Sequence, residues 1–437
     1  MNKKILGLIA VFAVILIVLL IVLANRKGNT PTNGNMTPTP TSNNQKISLT
    51  WWNLFEPEAN IAPLIAAFNQ VYPNIEIQYV QVGKDGVANY RGDIESVLAD
   101  EDIVTSPDIF PIHNSWAGKY QKLTSPAPSS VINQTDLDAF YSVVKEDFSS
   151  NGSVYAVPLY LDSIAIIYNK TLLANEGYTT PAQSWGDFEL QAKNLTKFDT
   201  NSKIIQAGFS AYYPNNAEFY FEIMNNLLRQ NGVVMLDATG KSKISAQQEA
   251  NSAILAYEKF VKGEYKSWDE TLNKDIALFL EGKLAMYPAP TWRLNDILKY
   301  NQQYSLGLDV GVSQIPQYYN SQEYYYPSYW GLTVSKDSQH AEAAWNFIKF
   351  ITSAEQLKTL NDTVIANGRV KGIIYPLKAM AEENLLDPLL APYVNSLGLA
   401  SNWKMYDGFA LKKSWDEVFE SELSIKGLEN SINSVVP

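Results

Sequence analysis

Residues 152–170 read GSVYAVPLYLDSIAIIYNK, two apolar runs around one acid. Val154 to Val157 is rich in β-branched and aromatic residues and reads as a short strand, which Pro158 interrupts. Leu159 to Tyr168 is almost unbroken in apolar residues, the pattern of a strand buried on both faces. Asp162 and Ser163 fall in the middle of that run. A carboxylate inside a buried strand is costly unless something polar binds it. Two readings stand side by side. Asp162 caps a nearby backbone amide or pairs with a lysine, or it lines a ligand cleft where a strand crosses between two lobes.

The chain before this stretch alternates in kind. Ile47 to Trp51 alternates apolar and polar as a strand does. Ile61, Leu64, Ile65, Phe68 and Val71 share one helical face, with Asn60 as the expected N-cap and Pro63 in the first turn. Asn74 to Val80 alternates again, Tyr90, Ile94, Val97 and Leu98 mark a second helix, and Asp108 to Ile112 a third strand. The order β-α-β-α-β argues an open α/β sheet with parallel strands. Ligands of such sheets sit beyond the carboxyl ends of the strands. Two loops qualify: Trp52, Asn53 and Glu56 after the first strand, and Asn114 and Trp116 after the third. Packing beneath the loops is the alternative role for both tryptophans.

The string NG-x-x-YAVP-x-x-x-D-x-x-x-I-x-YNK-x-LL over 151–173, with Trp185 in PAQSWGDF, resembles the core signature of extracellular solute-binding proteins of ABC importers, and most closely their maltose-binding branch. Other pieces resemble the same family: PDIF at 107–110, FLEGKLAM at 279–286 with Trp292 after it, LDVGVSQIP at 308–316, and SNWK at 401–404. The resemblance implies an α/β two-lobe periplasmic-binding-protein-like fold (type II), each lobe an open sheet flanked by helices. It implies lobe 1 over 47–160 with 326–370, and lobe 2 over 161–325 with 371–437. The family often has a proline after the Gly-Arg at Gly368-Arg369, whereas Val370 follows here, a departure from the family's pattern at the third crossover. Implied at the cleft are Tyr160, Asp162, Trp292, Tyr329, Trp330 and Trp403. Tyr212 and Asn216 join them from a loop able to stack and to hydrogen-bond, or else form an ordinary turn.

The two ends and the composition narrow the function. Lys3 and Lys4 precede Ile5 to Ala24, an uncharged stretch that as a helix matches a ~30 Å hydrocarbon core. Residues 1–26 are therefore expected to be a transmembrane anchor or a signal, with the uncleaved anchor favoured. Residues 27–46 read as a disordered Pro/Thr/Asn linker. With 0 cysteines, no lipid-bearing cysteine of the kind that tethers many relatives is present, which favours the helix as tether. The net charge is −11 without a basic stripe, so nucleic acid is not an expected partner. The 2 histidines cannot supply a usual zinc site, and no cofactor motif is present. The expected function is a membrane-tethered, extracytoplasmic protein that captures a sugar or oligosaccharide and delivers it to an ABC importer permease, without catalysis. Three alternatives remain open: a surface-anchored glycan hydrolase, a receptor without a transporter, and a binding protein for another solute such as a peptide.

Overall fold

The computed structural model describes residues 46–99, 106–319, 322–421 and 423–437. The anchor and nearly all of the linker expected over 1–46 lie outside them. Among the described residues no helix is long and apolar enough to cross a membrane.

Along the chain come β1 (Ile47–Asn53), α1 (Glu58–Val71), β2 (Ile75–Gln81), α2 (Val87–Ala99), β3 (Ile109–His113) and β4 (Thr124–Ser125). There follow β5 (Ala165–Asn169), α3 (Trp185–Leu195), β6 (Lys197–Phe198), β7 (Ile204–Phe209), α4 (Tyr220–Gln230), β8 (Leu284–Ala289), α5 (Thr291–Tyr304) and β9 (Val310–Ser313). The chain then adds β10 (Trp330–Ser335), α6 (Ala341–Ile351), α7 (Ala354–Ala366) and, near its end, α8 (Gly408–Ser421).

Period-2 alternation makes β1 and β2 a parallel pair, in register from Ile47 opposite Ile75 to Asn53 opposite Gln81. Ile61, Leu64 and Phe68 of α1 are buried, and Phe68 and Phe347 of α6 meet edge to face at 4.9 Å. The helix begins at Glu58, earlier than Asn60, and Pro63 falls in its second turn. Asn60 is no cap: its amide is buried and donates to Glu56 at 2.7 Å. The first sheet has strand order β2-β1-β3-β10-β4, and β10 runs antiparallel to β3. The second has order β9-β5-β8-β7-β6, with β5 antiparallel to both neighbours. Both sheets are thus mixed, because chain returning from the other sheet enters each one antiparallel. Helix α3 is capped by Ser184, whose hydroxyl accepts from the Asp187 amide.

The stretch 155–164, which the sequence divides into a short strand ending at Val157 and a buried strand from Leu159, is a regular strand in neither part. It pairs only at single points: Val157 with Leu332, Leu161 with Ile374, and Ser163 with Pro327. Regular pairing begins at Ala165. The physical reason is that this segment leaves one sheet for the other, pairing first with β10 at Leu332 and then with two further connecting segments. Leu161 N–H donates to Ile374 O at 3.0 Å, and Ser328 N–H to Asp162 O at 3.1 Å. Three crossing segments, near 157–164, 325–329 and 371–377, therefore lie together between the sheets.

Candidate functional site

The ends of both sheets point toward these crossings. In the first sheet, the C-terminal ends of β1 and β3 lie beside the start of β10, where Trp330 pairs with His113. In the second, the start of β5 pairs with the end of β8, Ala165 opposite Ala289, and the chain turns at once into α5.

Aromatic rings collect at the first edge. Trp330 and Trp116 meet edge to face at 5.0 Å, Phe55 and Trp330 at 5.5 Å, and His113 and Trp330 at 5.2 Å. Phe55 is 47% exposed and Trp330 half-buried, whereas Trp116 is buried. Burial drives the His113 imidazole down to about 3, so it is neutral. Its two nitrogens lie 2.8 Å from the Ser115 hydroxyl and 3.2 Å from that of Ser328. Trp52 is half-buried, and the Asn53 side-chain oxygen accepts the Leu54 amide at 3.0 Å.

Glu56 is buried and joins the loop after β1 to the far end of the lobe. Its carboxylate receives Arg369 at 2.8 Å and Asn60 at 2.7 Å. Arg369 also lies over the Tyr160 ring, 5.9 Å from its centroid. Burial opposes the charge of Arg369, yet the nearby Glu56 and Tyr160 leave its proton more tightly held than usual.

Asp162 sits at the second edge. Its two oxygens receive the Thr291 amide at 3.0 and 3.1 Å, the Thr291 hydroxyl at 2.7 Å and the Ser163 amide at 2.8 Å. The carboxylate therefore caps the start of α5, the first of the two roles the sequence left open. Burial pushes it up to about 7 against those donors. One residue on, Trp292 is 48% exposed, meets Phe219 edge to face at 5.9 Å, and carries Arg293 over its ring at 4.3 Å. Arg293 is tied in turn to Glu218 at 2.7 Å.

Asn114 and Tyr329 come together deeper, around Asp147. The Asp147 carboxylate receives Asn114 at 2.9 Å and the Tyr329 hydroxyl at 2.8 Å, and Asn402 adds a further hydrogen bond. Asp147 thereby ties β3, the second crossing and the late loop.

The remaining three expected residues turn inward. The Asn216 amide donates to Asp269 O at 2.9 Å and Leu272 O at 3.1 Å, and its oxygen accepts from Trp268 at 2.7 Å. Trp403 is buried, its indole donating to Asn225 at 2.9 Å. Tyr212 is buried against Phe419, with ring centroids 5.1 Å apart. Phe55, Phe219 and Arg369 are neighbours of the site that residue type alone did not single out, although Phe55 stands in a loop at the end of a strand.

Comparison with known proteins bears on this arrangement. The profile of the bacterial extracellular solute-binding protein family matches residues 54–358. The chain belongs to that family. The maltotriose-binding protein of Pyrococcus abyssi is 22% identical over 318 residues, which cover 71% of this chain and 63% of the relative. This chain therefore spans less than two thirds of that relative's length. An uncharacterised ABC transporter extracellular-binding protein of Pyrococcus horikoshii is 25% identical over 413 residues, covering 90% of this chain and 85% of its own length. Among solved structures, the sugar-binding protein MalE from the phytopathogen Xanthomonas citri superposes with a TM-score of 0.71 at 16% identity, covering 89% of this chain and 96% of that one. The solute-binding family thus comes with a mixed α/β, two-lobe fold.

Proposed function

We propose that this extracellular solute-binding protein captures a sugar or oligosaccharide between its two lobes and hands it to the permease of an ABC importer. The lobes of this reading are 47–160 with 326–370 and 161–325 with 371–437. The observation that carries it is the set of open rings at the sheet ends nearest the crossings: Phe55 and Trp292, each nearly half exposed, and Trp330. Open indole and phenyl faces suit the apolar face of a sugar ring. In this reading Trp52, Phe55 and Trp330 form the wall from the first lobe, with the buried Trp116 packed against Trp330, and Trp292 forms that from the second. Tyr160 lies between them. Glu56 and Asp162 act chiefly by holding the wall in place, since their oxygens already have donors. Relatives named for maltotriose and for sugars support a carbohydrate, and a neutral, hydroxylated ligand fits a wall of aromatics better than a phosphate would. Tethering through a helix within residues 1–26 belongs to the same proposal.

The test is to incubate the full-length chain with a panel of oligosaccharides and follow both the melting temperature and the sugar products. A thermal shift with the sugar recovered intact supports capture. Cleaved product would favour a hydrolase, and a shift with peptides alone would favour another solute.

A further inference from the structure

Two neighbouring residues of α5 interlock with two that precede α4. Trp292 and Arg293 stand in the first turn of α5, and Glu218 and Phe219 come just before Tyr220. The Arg293 guanidinium lies over the Trp292 ring, 4.3 Å from its centroid, and Phe219 meets that ring edge to face at 5.9 Å. Successive side chains on a helix diverge by about 100°, so helix geometry alone does not stack one residue on the next. The Glu218 carboxylate turns the guanidinium back. It receives Nη2 at 2.7 Å on each oxygen and Nε at 3.2 Å, while Asp296 receives Nη1 at 2.9 Å. A planar fork held at three nitrogens has little freedom left.

Glu218 is fixed in its turn. The Tyr287 hydroxyl of β8 donates to its carboxylate at 3.1 Å, and its own amide donates to Asp275 at 2.7 Å. The backbone under the ring is held as well. Asp162 of the first crossing takes the Thr291 amide and hydroxyl. Asn295 donates to Thr291 O at 3.1 Å and accepts the Lys371 amide of the third crossing at 2.7 Å. The side chains of Arg293 and Glu218 are 17% and 35% exposed. Ion pairs open to water contribute little to stability, so the fold alone does not account for this network. What it holds is a ring. The cation takes one face of the indole, yet Trp292 is 48% exposed, so the opposite face is left open. An exposed indole free among its rotamers has to be ordered when a ligand stacks on it, whereas one held in advance does not.

We propose that Arg293 is a positioning residue for ligand capture: gripped by Glu218, it holds the Trp292 indole in one orientation, so that a sugar ring stacks only on the face turned away from the guanidinium. This rests on the reading above that Trp292 forms the second lobe's wall. Arg293 acts through Trp292 and not by touching the sugar.

The test joins a spectrum of the free protein to a titration, both on the full-length chain. With 5-fluorotryptophan at the 10 tryptophans, the fluorine resonance lost in Trp292→Phe belongs to Trp292. Without ligand, Arg293→Met is expected to shift and broaden that resonance. Arg293→Lys, which keeps the cation but not the fork, should move it less. In calorimetry with maltotriose, Arg293→Met is expected to weaken binding about tenfold, and Arg293→Lys by less. In a chain already carrying Trp292→Ala, Arg293→Met should cost little further, since no ring remains to be held. Glu218→Gln is expected to act in the same direction on resonance and affinity, and it decides the matter if Arg293→Met does not fold. A Trp292 resonance unmoved in the folded variants would overturn the proposal, as would an equal loss of affinity with and without the indole. If the unaltered chain takes up no maltotriose, the sugar reading fails, and the free-protein resonance still decides whether Arg293 sets the ring.

Discussion

At the scale of single residues, a side chain's role follows from what its polar atoms already hold. Asp162 has donors on both oxygens, from Thr291 and Ser163. Asp162→Asn should lose one acceptor site toward Thr291 and destabilise the fold by about 1–2 kcal/mol, read as a lower midpoint in urea. An unchanged midpoint with weaker ligand binding would mean that the carboxylate serves the ligand instead. Trp330 has no such duty to the helix ends. Trp330→Ala is expected to weaken sugar affinity by about tenfold to a hundredfold in a calorimetric titration. The same titration on Asn216→Ala should show little change in affinity, while its melting temperature falls, because that amide is spent on the loop at 268–272. Residue type made Trp292 legible, through the motif before it, but could not tell an outward amide from an inward one. Asn216 and Trp403 each sit in a loop of suitable composition, and only the third dimension shows that their polar atoms are engaged inside the lobe.

At the scale of elements, the alternating strands and the apolar faces of α1 and α2 were readable in advance. Short-range periodicity decides those elements. The crossing stretch was not, because an unbroken apolar run is equally the mark of a buried strand and of an irregular segment packed between two sheets. Only its long-range partners, Leu332, Ile374 and Pro327, distinguish the two. Those crossings carry a pH dependence. Burial raises Asp147 to about 7, against the donors Asn114 and Tyr329, with Glu146 close by. A carboxyl whose folded pKa lies above its ordinary value near 4 stabilises the fold fully below about pH 4 and loses that contribution as pH climbs through 7. Asp162, Glu222 and Asp275, also pushed up to about 7 by burial, act in the same direction. The melting temperature should therefore fall between pH 5.5 and pH 8. Asp147→Asn should flatten that fall by about 1–3 °C. Equal slopes in the two proteins would show that Asp147 does not titrate in this range.

At the scale of the whole molecule, two mixed sheets are joined by segments that meet one another through single backbone bonds, Leu161 with Ile374 and Ser328 with Asp162. Such a junction suits hinge bending, since few backbone bonds need to break while each lobe moves as a body. Aromatic rings at the sheet ends would then offer contact to a guest. The most direct test is a calorimetric titration of the full-length chain with maltotriose and longer malto-oligosaccharides, repeated with Trp330→Ala. The account requires saturable binding with a stoichiometry near one, a negative heat-capacity change from buried apolar surface, and a marked loss in the variant. Absence of heat across the whole glycan series, with the protein folded, would contradict it.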